Sequence, residues 1–230
     1  MSSYHIFSLI LPVFLLIAFG YVAAVTGLLK EQVGDALGKF VFTIAIPLLM
    51  FRTLATAFLN GASPWALWGT YFSSVIIVWT MATLISRAVF GREARYGVIA
   101  GISGAFSNII LVGLPVISAS VSEAGLVPLF VIVSVHLPFM TVLSTLLMER
   151  AAAADGTRKA RPMLQTLMVV SRNLATNPMV IGLVSGAVWR TTGLPVPDLP
   201  ADVISKIAAT AIPVALFSLG MSLRRLRHSR

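Results

Sequence analysis

Seven long apolar stretches constrain the fold of this chain more than any other feature of its sequence. The loops between them hold most of the charged residues. Each stretch has about 20 residues, which is enough to cross the hydrocarbon core of a bilayer as a helix. The apolar runs are continuous and do not alternate every second residue, which argues against a membrane-spanning barrel. We therefore predict seven transmembrane helices, over residues 7–28, 37–59, 65–86, 96–120, 126–148, 175–192 and 203–222.

The composition excludes an ordinary soluble domain. Of the 230 residues 57% are hydrophobic and only 11% are charged, and the mean hydropathy is +0.93. A soluble domain carries about 25% charged residues. The chain has no cysteine, so it has neither a disulfide nor a thiolate metal site. The fold class predicted is an all-α membrane protein, and we expect no cofactor and no bound metal.

The basic residues alternate between the two sides of the predicted membrane. Fourteen of the 17 fall in the loops after spans one, three and five and in the tail. The other three, Arg52, Arg190 and Lys206, lie toward the opposite side. The positive-inside rule then places the N-terminus outside and the C-terminus inside, which requires an odd number of spans. The net charge of +9 is thereby explained without a nucleic-acid partner.

The two ends of the chain share a pattern at an offset of 166 residues. Residues 42–51, FTIAIPLLMF, and 208–217, AATAIPVALF, both contain Ala-Ile-Pro with a phenylalanine four residues after the proline. Residues 12–51 show ten identities in 40 positions with the copy. With seven spans, the two copies cross the membrane in opposite directions. Such an inverted repeat is typical of secondary transporters. The predicted domains are a five-helix repeat unit (1–149), a basic cytoplasmic loop with an interfacial segment (150–174), and an incomplete second unit (175–230).

The fourth predicted span contains residues that weaken a helix, in the stretch FSNIILVGLPV. Pro115 has no N–H and its ring crowds the carbonyl of Leu111, and Gly113 adds freedom beside it. We expect these residues to unwind a turn, since transporters bind anions at the exposed N–H groups of broken helices. Asn108, about two turns earlier, is expected to hydrogen-bond the substrate. The alternative is a plain proline kink.

His136 lies deep within the fifth predicted span, in the stretch SVHLPF. One expectation is a functional role, in which His136 binds a substrate carboxylate or carries a proton. The alternative is a structural role, in which it hydrogen-bonds a backbone carbonyl freed by Pro138. No carboxylate lies mid-membrane in any predicted span. A proton or sodium relay built on Asp or Glu therefore has no candidate within these 230 residues.

Four stretches in order along the chain carry a family resemblance: FGYVAAVTGLL, FVFTIAIPLLMF, FSNIILVGLPV and NPMVIGLVSGAVW with AIPVALFSLGMSL. The chain resembles the auxin efflux carrier family of the bile, arsenite and auxin transporter superfamily. That family includes plant PIN-type carriers and bacterial carriers of malonate and related acids. The resemblance implies ten helices in two inverted sets of five, with broken fourth and ninth helices that cross at the substrate site. It also implies elevator-type alternating access, in which helices 3–5 and 8–10 move against helices 1, 2, 6 and 7.

The resemblance also implies roles for single residues. Asn108 matches the asparagine of the family's fourth-helix motif, and Pro115 matches its crossover proline. Met50 lies where plant carriers have a small polar residue, and His136 where they have a glutamine that faces substrate. The predicted substrate-binding residues are Asn108, Gly113, Pro115, His136, Met50 and Ser107.

The sequence departs from the family pattern in three respects. Helices 8–10 with the second crossover are absent from these 230 residues, the third span has no acidic residue, and the loop after span five is short. The short loop favours a bacterial member, located in the inner membrane. The expected partners are a small organic anion and the lipid bilayer, and a homodimer is left open. The alternatives are a seven-helix receptor or photoreceptor, and a non-transporting truncated fragment of the carrier.

Overall fold

A computed structural model describes residues 3–56, 63–121, 125–156 and 163–228. These residues form helices and contain no strand, which confirms the predicted all-α class. Two of the helices are entered through π-helical turns, at Val41–Ala45 and Ile109–Gly113. The α-helices are α1 (Ser3–Val25), α2 (Glu31–Phe40), α3 (Ile46–Ala55), α4 (Pro64–Ala88), α5 (Ala94–Ala105), α6 (Leu114–Val121), α7 (Leu126–Ala154), α8 (Met163–Ala175), α9 (Pro178–Thr191), α10 (Asp198–Ala209) and α11 (Ala211–His228).

Four helical stretches of the described residues are long and apolar enough to cross a membrane. They are Glu31–Ala55, Pro64–Ala88, Leu126–Ala154 and Asp198–Arg224, and they correspond to the predicted spans two, three, five and seven. The other predicted spans correspond to α1, to α5 with α6, and to α9. The chain is a multi-pass membrane protein, and the count of seven spans and the orientation stay predictions.

Prolines mark two of the helix starts. Ser63-Pro64 and Asn177-Pro178 are helix-start signals in the sequence. α4 begins at Pro64 and α9 at Pro178, as these signals predict. A proline in the first turn loses nothing by lacking an N–H, and its fixed φ already suits a helix. α8 lies at the end of the region 150–174, where the sequence predicts an interfacial segment, and its interfacial position stays a prediction.

A π-helical turn precedes Pro47 in the second predicted span. The Ile46 N–H donates to the carbonyl of Val41, five residues back. Proline has no N–H and crowds the carbonyl four residues earlier, so one wider turn relieves the crowding without ending the helix. Near the proline at the matching place, Pro213, the helix is interrupted at Thr210, which separates α10 from α11.

The fourth predicted span is interrupted, but not at the residues that the sequence indicated. α5 ends at Ala105, residues 106–108 are non-helical, and the helix resumes with the π-helical turn and α6. Gly113 and Pro115, which were expected to unwind a turn, are themselves helical. The Gly113 N–H bonds to the Asn108 carbonyl, five residues back, at 3.1 Å. The wider turn makes room for the proline ring, so the break falls on the polar residues that precede it.

The chain forms two compact units. The first contains residues 1–59, 108–130 and 178–230, and the second contains residues 60–107 and 131–177. These units reflect packing. The predicted division at residues 149 and 174 follows the repeat instead and stays a prediction.

Glycines bring helix backbones together in the first unit, where α1 packs along α11 and α9 packs along α3. A Cβ on Gly20 would overlap the backbone of Phe217. A Cβ on Gly186 would lie 2.6 Å from the carbonyl oxygen of Phe51. Such close approach strengthens van der Waals packing, which drives helix association where lipid removes the hydrophobic contribution.

Larger side chains pack the second unit. α5 lies against α4 where Gly101 leaves room for Trp79 and Thr83. The Thr83 hydroxyl donates to the Gly97 carbonyl at 3.0 Å. The buried core of this unit consists of Val75, Trp79, Val98, Ala105, Met140 and Ala151.

Asp155, which follows α7, caps the start of α5 within the second unit. Its carboxylate accepts the N–H groups of Ala94 and Arg95 at 3.0 and 3.1 Å, and the Arg95 guanidinium donates to it at 3.0 Å. Burial favours the neutral carboxyl group, but these donors outweigh burial and hold the pKa of Asp155 below its ordinary value. The contact therefore ties the end of α7 to the start of α5.

Candidate functional site

Two polar contacts join α4 to α7 in the second unit. The Trp68 indole N–H donates to the Val131 carbonyl at 2.8 Å. One turn further along α4, the Tyr71 hydroxyl lies 3.1 Å from Nδ1 of His136. Together these contacts fix the register of the two helices and place Tyr71 against His136.

His136 is almost completely buried, with 2% of its surface exposed. The ring centroids of Tyr71 and Phe106 lie 5.6 and 5.1 Å from that of His136, both in edge-on arrangements. Within the described residues, its buried Nε2 atom has no hydrogen-bond partner. Leaving a buried polar atom unpaired is unfavourable by about 1–3 kcal/mol, so such an atom calls for an explanation.

Ser107 connects this cluster to the interruption of the fourth predicted span. The Ser107 side chain is placed to donate a hydrogen bond to the Tyr71 hydroxyl, whose contact with His136 is at 3.1 Å. If Ser107 donates to Tyr71 and Tyr71 donates to Nδ1, the neutral imidazole carries its proton on Nε2. The Ser107–Tyr71–His136 network then ends in one N–H donor, which suits a carboxylate or another anion.

Two of the predicted site residues, Ser107 and His136, are thus brought together through Tyr71. The sequence left open whether His136 bonds a carbonyl freed by Pro138, and the structure instead places its Nδ1 on a tyrosine hydroxyl. Its role toward a substrate stays a prediction.

The other four predicted site residues belong to the first unit. Asn108 is exposed, and its carbonyl accepts the N–H groups of Val112 and Gly113 at 3.2 and 3.1 Å. Pro115 is buried in α6, and Met50 is fully buried in α3. The proposed contacts of these residues with substrate stay predictions.

Sequence reasoning missed Tyr71 and Phe106. Tyr71 lies in the stretch WGTYFSS, and nothing local distinguishes it from a tyrosine at a membrane surface. Its role depends on how α4 is rotated against α7, which packing decides. Phe106 was within reach, because it immediately precedes the polar Ser-Asn pair in the motif already singled out.

Other ligand chemistry finds little support in the part of the chain that the structure describes. It contains no group of three or more His, Cys, Asp or Glu side chains that could hold a metal ion. The photoreceptor alternative needs a lysine in mid-membrane. Lys206 is instead exposed on α10, with its Nζ 2.7 Å from an Asp202 carboxylate oxygen.

The apolar helices define the class of the protein, a multi-pass protein of the cell membrane. Residues 5–229 match the model of a family described as membrane transport protein. The chain belongs to this family of transporters, which confirms the predicted resemblance to the auxin efflux carriers.

Two relatives align over nearly the whole chain. The chain is 26% identical over 229 residues to the "Uncharacterized transporter" of Methanothermobacter thermautotrophicus, covering 96% of this chain and 69% of the relative. It is 25% identical over 223 residues to the "Putative malonate transporter" of Rhizobium meliloti, covering 95% of this chain and 67% of the relative.

Proposed function

We propose that the protein is a secondary carrier of small organic anions such as malonate or related carboxylates. Membership of a transporter family supports the carrier function, and the name of the Rhizobium relative supports this class of cargo. The observation that carries the proposal is the Ser107–Tyr71–His136 network, whose last atom, His136 Nε2, is buried and unpaired within the described residues.

The proposed chemistry is recognition of a carboxylate by neutral donors. His136 supplies one N–H group. Ser107 and Tyr71 contribute hydroxyl groups, each with one O–H donor. Neutral donors bind an anion in a site that has no fixed buried cation, so the anion is held weakly enough to leave again.

We further propose that the cargo moves by elevator-type alternating access on an inverted repeat. Two glycine contacts support the repeat, because adding or subtracting 166 residues converts one contact into the other. Gly20 packs on Phe217 in the α1–α11 pair, and Gly186, the counterpart of Gly20, packs on Phe51, the counterpart of Phe217. A two-fold relation between the two copies predicts such an exchange.

The composition of the two units also supports this mechanism. α1, α2, α3, α9, α10 and α11 belong to the first unit, whereas α4, α5 and most of α7 belong to the second. The resemblance implies a static part made of helices 1, 2, 6 and 7 and a moving part that includes helices 3–5. α6 is the exception, since it groups with the first unit.

Equilibrium binding of radiolabelled malonate to the purified chain tests the proposal. Tyr71→Phe removes only the hydroxyl that orients His136, and His136→Ala removes the donor itself. A hydrogen bond to a charged group is worth about 1.5–3 kcal/mol, so we expect His136→Ala to weaken binding by about tenfold or more. Tyr71→Phe should weaken it less, because the imidazole remains.

Ser73→Ala is the matched control on the same helix. The Ser73 hydroxyl donates to the Thr70 carbonyl of its own turn at 2.9 Å, and its removal should leave affinity unchanged. Unchanged affinity in His136→Ala would remove the network from the proposal. If the wild-type chain bound neither malonate nor other mono- and dicarboxylates, the proposed cargo class would be wrong.

A further inference from the structure

A second site is indicated by a groove of about 360 Å³ in the second unit, near the ends of α4 and α7 and the start of α5. Most of its wall is apolar, and two arginines and two threonines supply the polar part. The residues that matter for the inference are Trp79, Leu84, Arg87, Leu147, Arg150 and Ala151.

The guanidinium groups of the two groove arginines are not held in ion pairs. Arg87 and Arg150 take part in no ion pair among the described residues. Two carboxylates near this end of the unit, those of Asp155 and Glu93, both pair with Arg95, at 3.0 and 3.4 Å. Glu149, which precedes Arg150 in the chain, has a contact of its own. The groove therefore combines two positive charges with a largely apolar wall.

Packing against α5 orders the stem of Arg87. A Cβ on Gly97 would lie 3.0 and 3.1 Å from Cγ and Cδ of Arg87, so the glycine provides the space in which the stem lies. An arginine that is already ordered loses less conformational entropy when it binds an anion. The Arg87 guanidinium group is therefore partly preorganised for binding an anion.

Large apolar side chains surround Arg87 on the surface of α4. Leu84 and Ile85, in the last turns of α4, and Val89 and Phe90, which directly follow it, are all exposed. So many exposed apolar groups fit lipid chains better than water. Arg87 thus lies where an apolar helix surface ends and the next loop begins, which is the depth of the lipid headgroups.

We infer that this groove binds the phosphate group of an anionic glycerophospholipid, with an acyl chain along the apolar wall. Guanidinium groups match phosphate oxygens in geometry as well as charge. The apolar wall favours a lipid over a soluble phosphate or dicarboxylate, because only a lipid has a chain to contact Leu84 and Leu147. The predicted orientation places this end at the cytoplasmic leaflet, where anionic lipids attract basic residues.

Native mass spectrometry of the full chain tests the inference, with phosphatidylglycerol and phosphatidylcholine offered at equal concentration. A basic residue at the membrane surface corresponds to about a fivefold preference for anionic lipid. Arg87→Gln and Arg150→Gln should each lower the preference for phosphatidylglycerol about fivefold, and the double variant about 25-fold. Binding of phosphatidylcholine should persist in each variant and reports that the variant is folded.

Arg92→Gln is the matched control, because it removes the same charge at the same end of the unit. Arg92 lies in a different groove, with its guanidinium carbon 5.8 Å from the centroid of the Tyr96 ring, and its replacement should lower the preference clearly less than Arg87→Gln does. An equal loss in Arg92→Gln, or no loss in the double variant, would overturn the inference. If the double variant does not fold, the single variants make the same test.

Competition separates lipid from the soluble anions with the same chemistry. A large excess of inorganic phosphate or of malonate should leave most of the bound phosphatidylglycerol in place. Displacement by either anion, at a concentration that leaves bound phosphatidylcholine unaffected, would assign the groove to a soluble ligand and contradict the inference.

Discussion

Side-chain hydrogen bonds join helices in both units, as the Ser218 hydroxyl does to the Gly34 carbonyl in the first, but among the described residues only the first unit brings helix backbones into contact at glycines. In the first, helices approach so closely that Gly20 and Gly186 contact the backbones of their neighbours. In the second, side chains bridge the helices, as Trp68 does to α7 and Tyr71 does to His136. A contact between helix backbones at a glycine offers no side-chain donor or acceptor to a ligand. A side chain that bonds across two helices can break that bond and bind a ligand instead. The difference suits a rigid frame in the first unit and ligand chemistry in the second.

Valine at the glycine contacts should have the largest effect on stability. Gly20→Val and Gly186→Val each place a branched side chain against a neighbouring backbone, which we expect to destabilise the chain by about 3 kcal/mol, the upper end for overpacking. The two losses should be similar, because the contacts are counterparts in the repeat. Urea unfolding in a mild detergent measures both.

Gly69→Val is the control for these substitutions. A Cβ on Gly69, in α4, would meet no atom within 4 Å, so we expect a change of only about 0.5 kcal/mol or less. A clear loss in Gly20→Val beside a neutral Gly186→Val would break the equivalence of the two helix pairs.

Substitution of two tryptophans, one in each unit, should distinguish a purely structural role from a role in ligand binding. The expected effects on stability are smaller than those at the glycine contacts. The Trp68 indole N–H donates to a carbonyl of α7 at 2.8 Å, and that of Trp189, in the first unit, donates to the Leu194 carbonyl at 3.0 Å. Replacing either with phenylalanine should lower stability by about 1 kcal/mol through the lost hydrogen bond. Only Trp68→Phe should also weaken malonate binding, because Trp68 sets the register of Tyr71 and His136. Equal malonate affinity in both variants would contradict that division.

The cap on α5 should give the smallest effect, and one that depends on pH. The folded-state pKa of Asp155 is lowered, so its carboxylate stabilises the chain above the ordinary value of 3.8, and the stabilisation is lost as pH falls through the folded-state pKa. Asp155→Asn should therefore lower Tm at pH 7, and its difference from wild type should shrink below pH 3.8. A Tm difference that stays constant from neutral to acid pH would show that charge on Asp155 does not stabilise α5.

How much of this could be predicted from the sequence depends on whether a feature is local. The helix starts at Pro64 and Pro178 were predictable, because a proline in the first turn acts through its own ring. An interruption in the fourth span was also indicated by FSNIILVGLPV. Its position was wrong, because a π-helical turn absorbs Pro115 and leaves the break at residues 106–108.

Contacts between helices were beyond local reasoning. His136 could be singled out because a histidine is unusual at that depth, but its partner Tyr71 is 65 residues away along the chain. Pairing them requires the rotation of α4 against α7, which is set by the packing of a whole unit. The partners of Gly20 and Gly186 were hidden for the same reason, although the repeat marked both glycines as counterparts.

The central claim is that the Ser107–Tyr71–His136 network presents the Nε2 proton of His136 to an organic anion. Nitrogen-15 NMR of the chain with labelled histidine rings tests it most directly, with His136→Gln identifying the signal among the three histidines. The account predicts a neutral imidazole protonated on Nε2, whose signal shifts when malonate is added. A proton on Nδ1, or an Nε2 signal that stays unchanged when the chain is saturated with malonate, would contradict it.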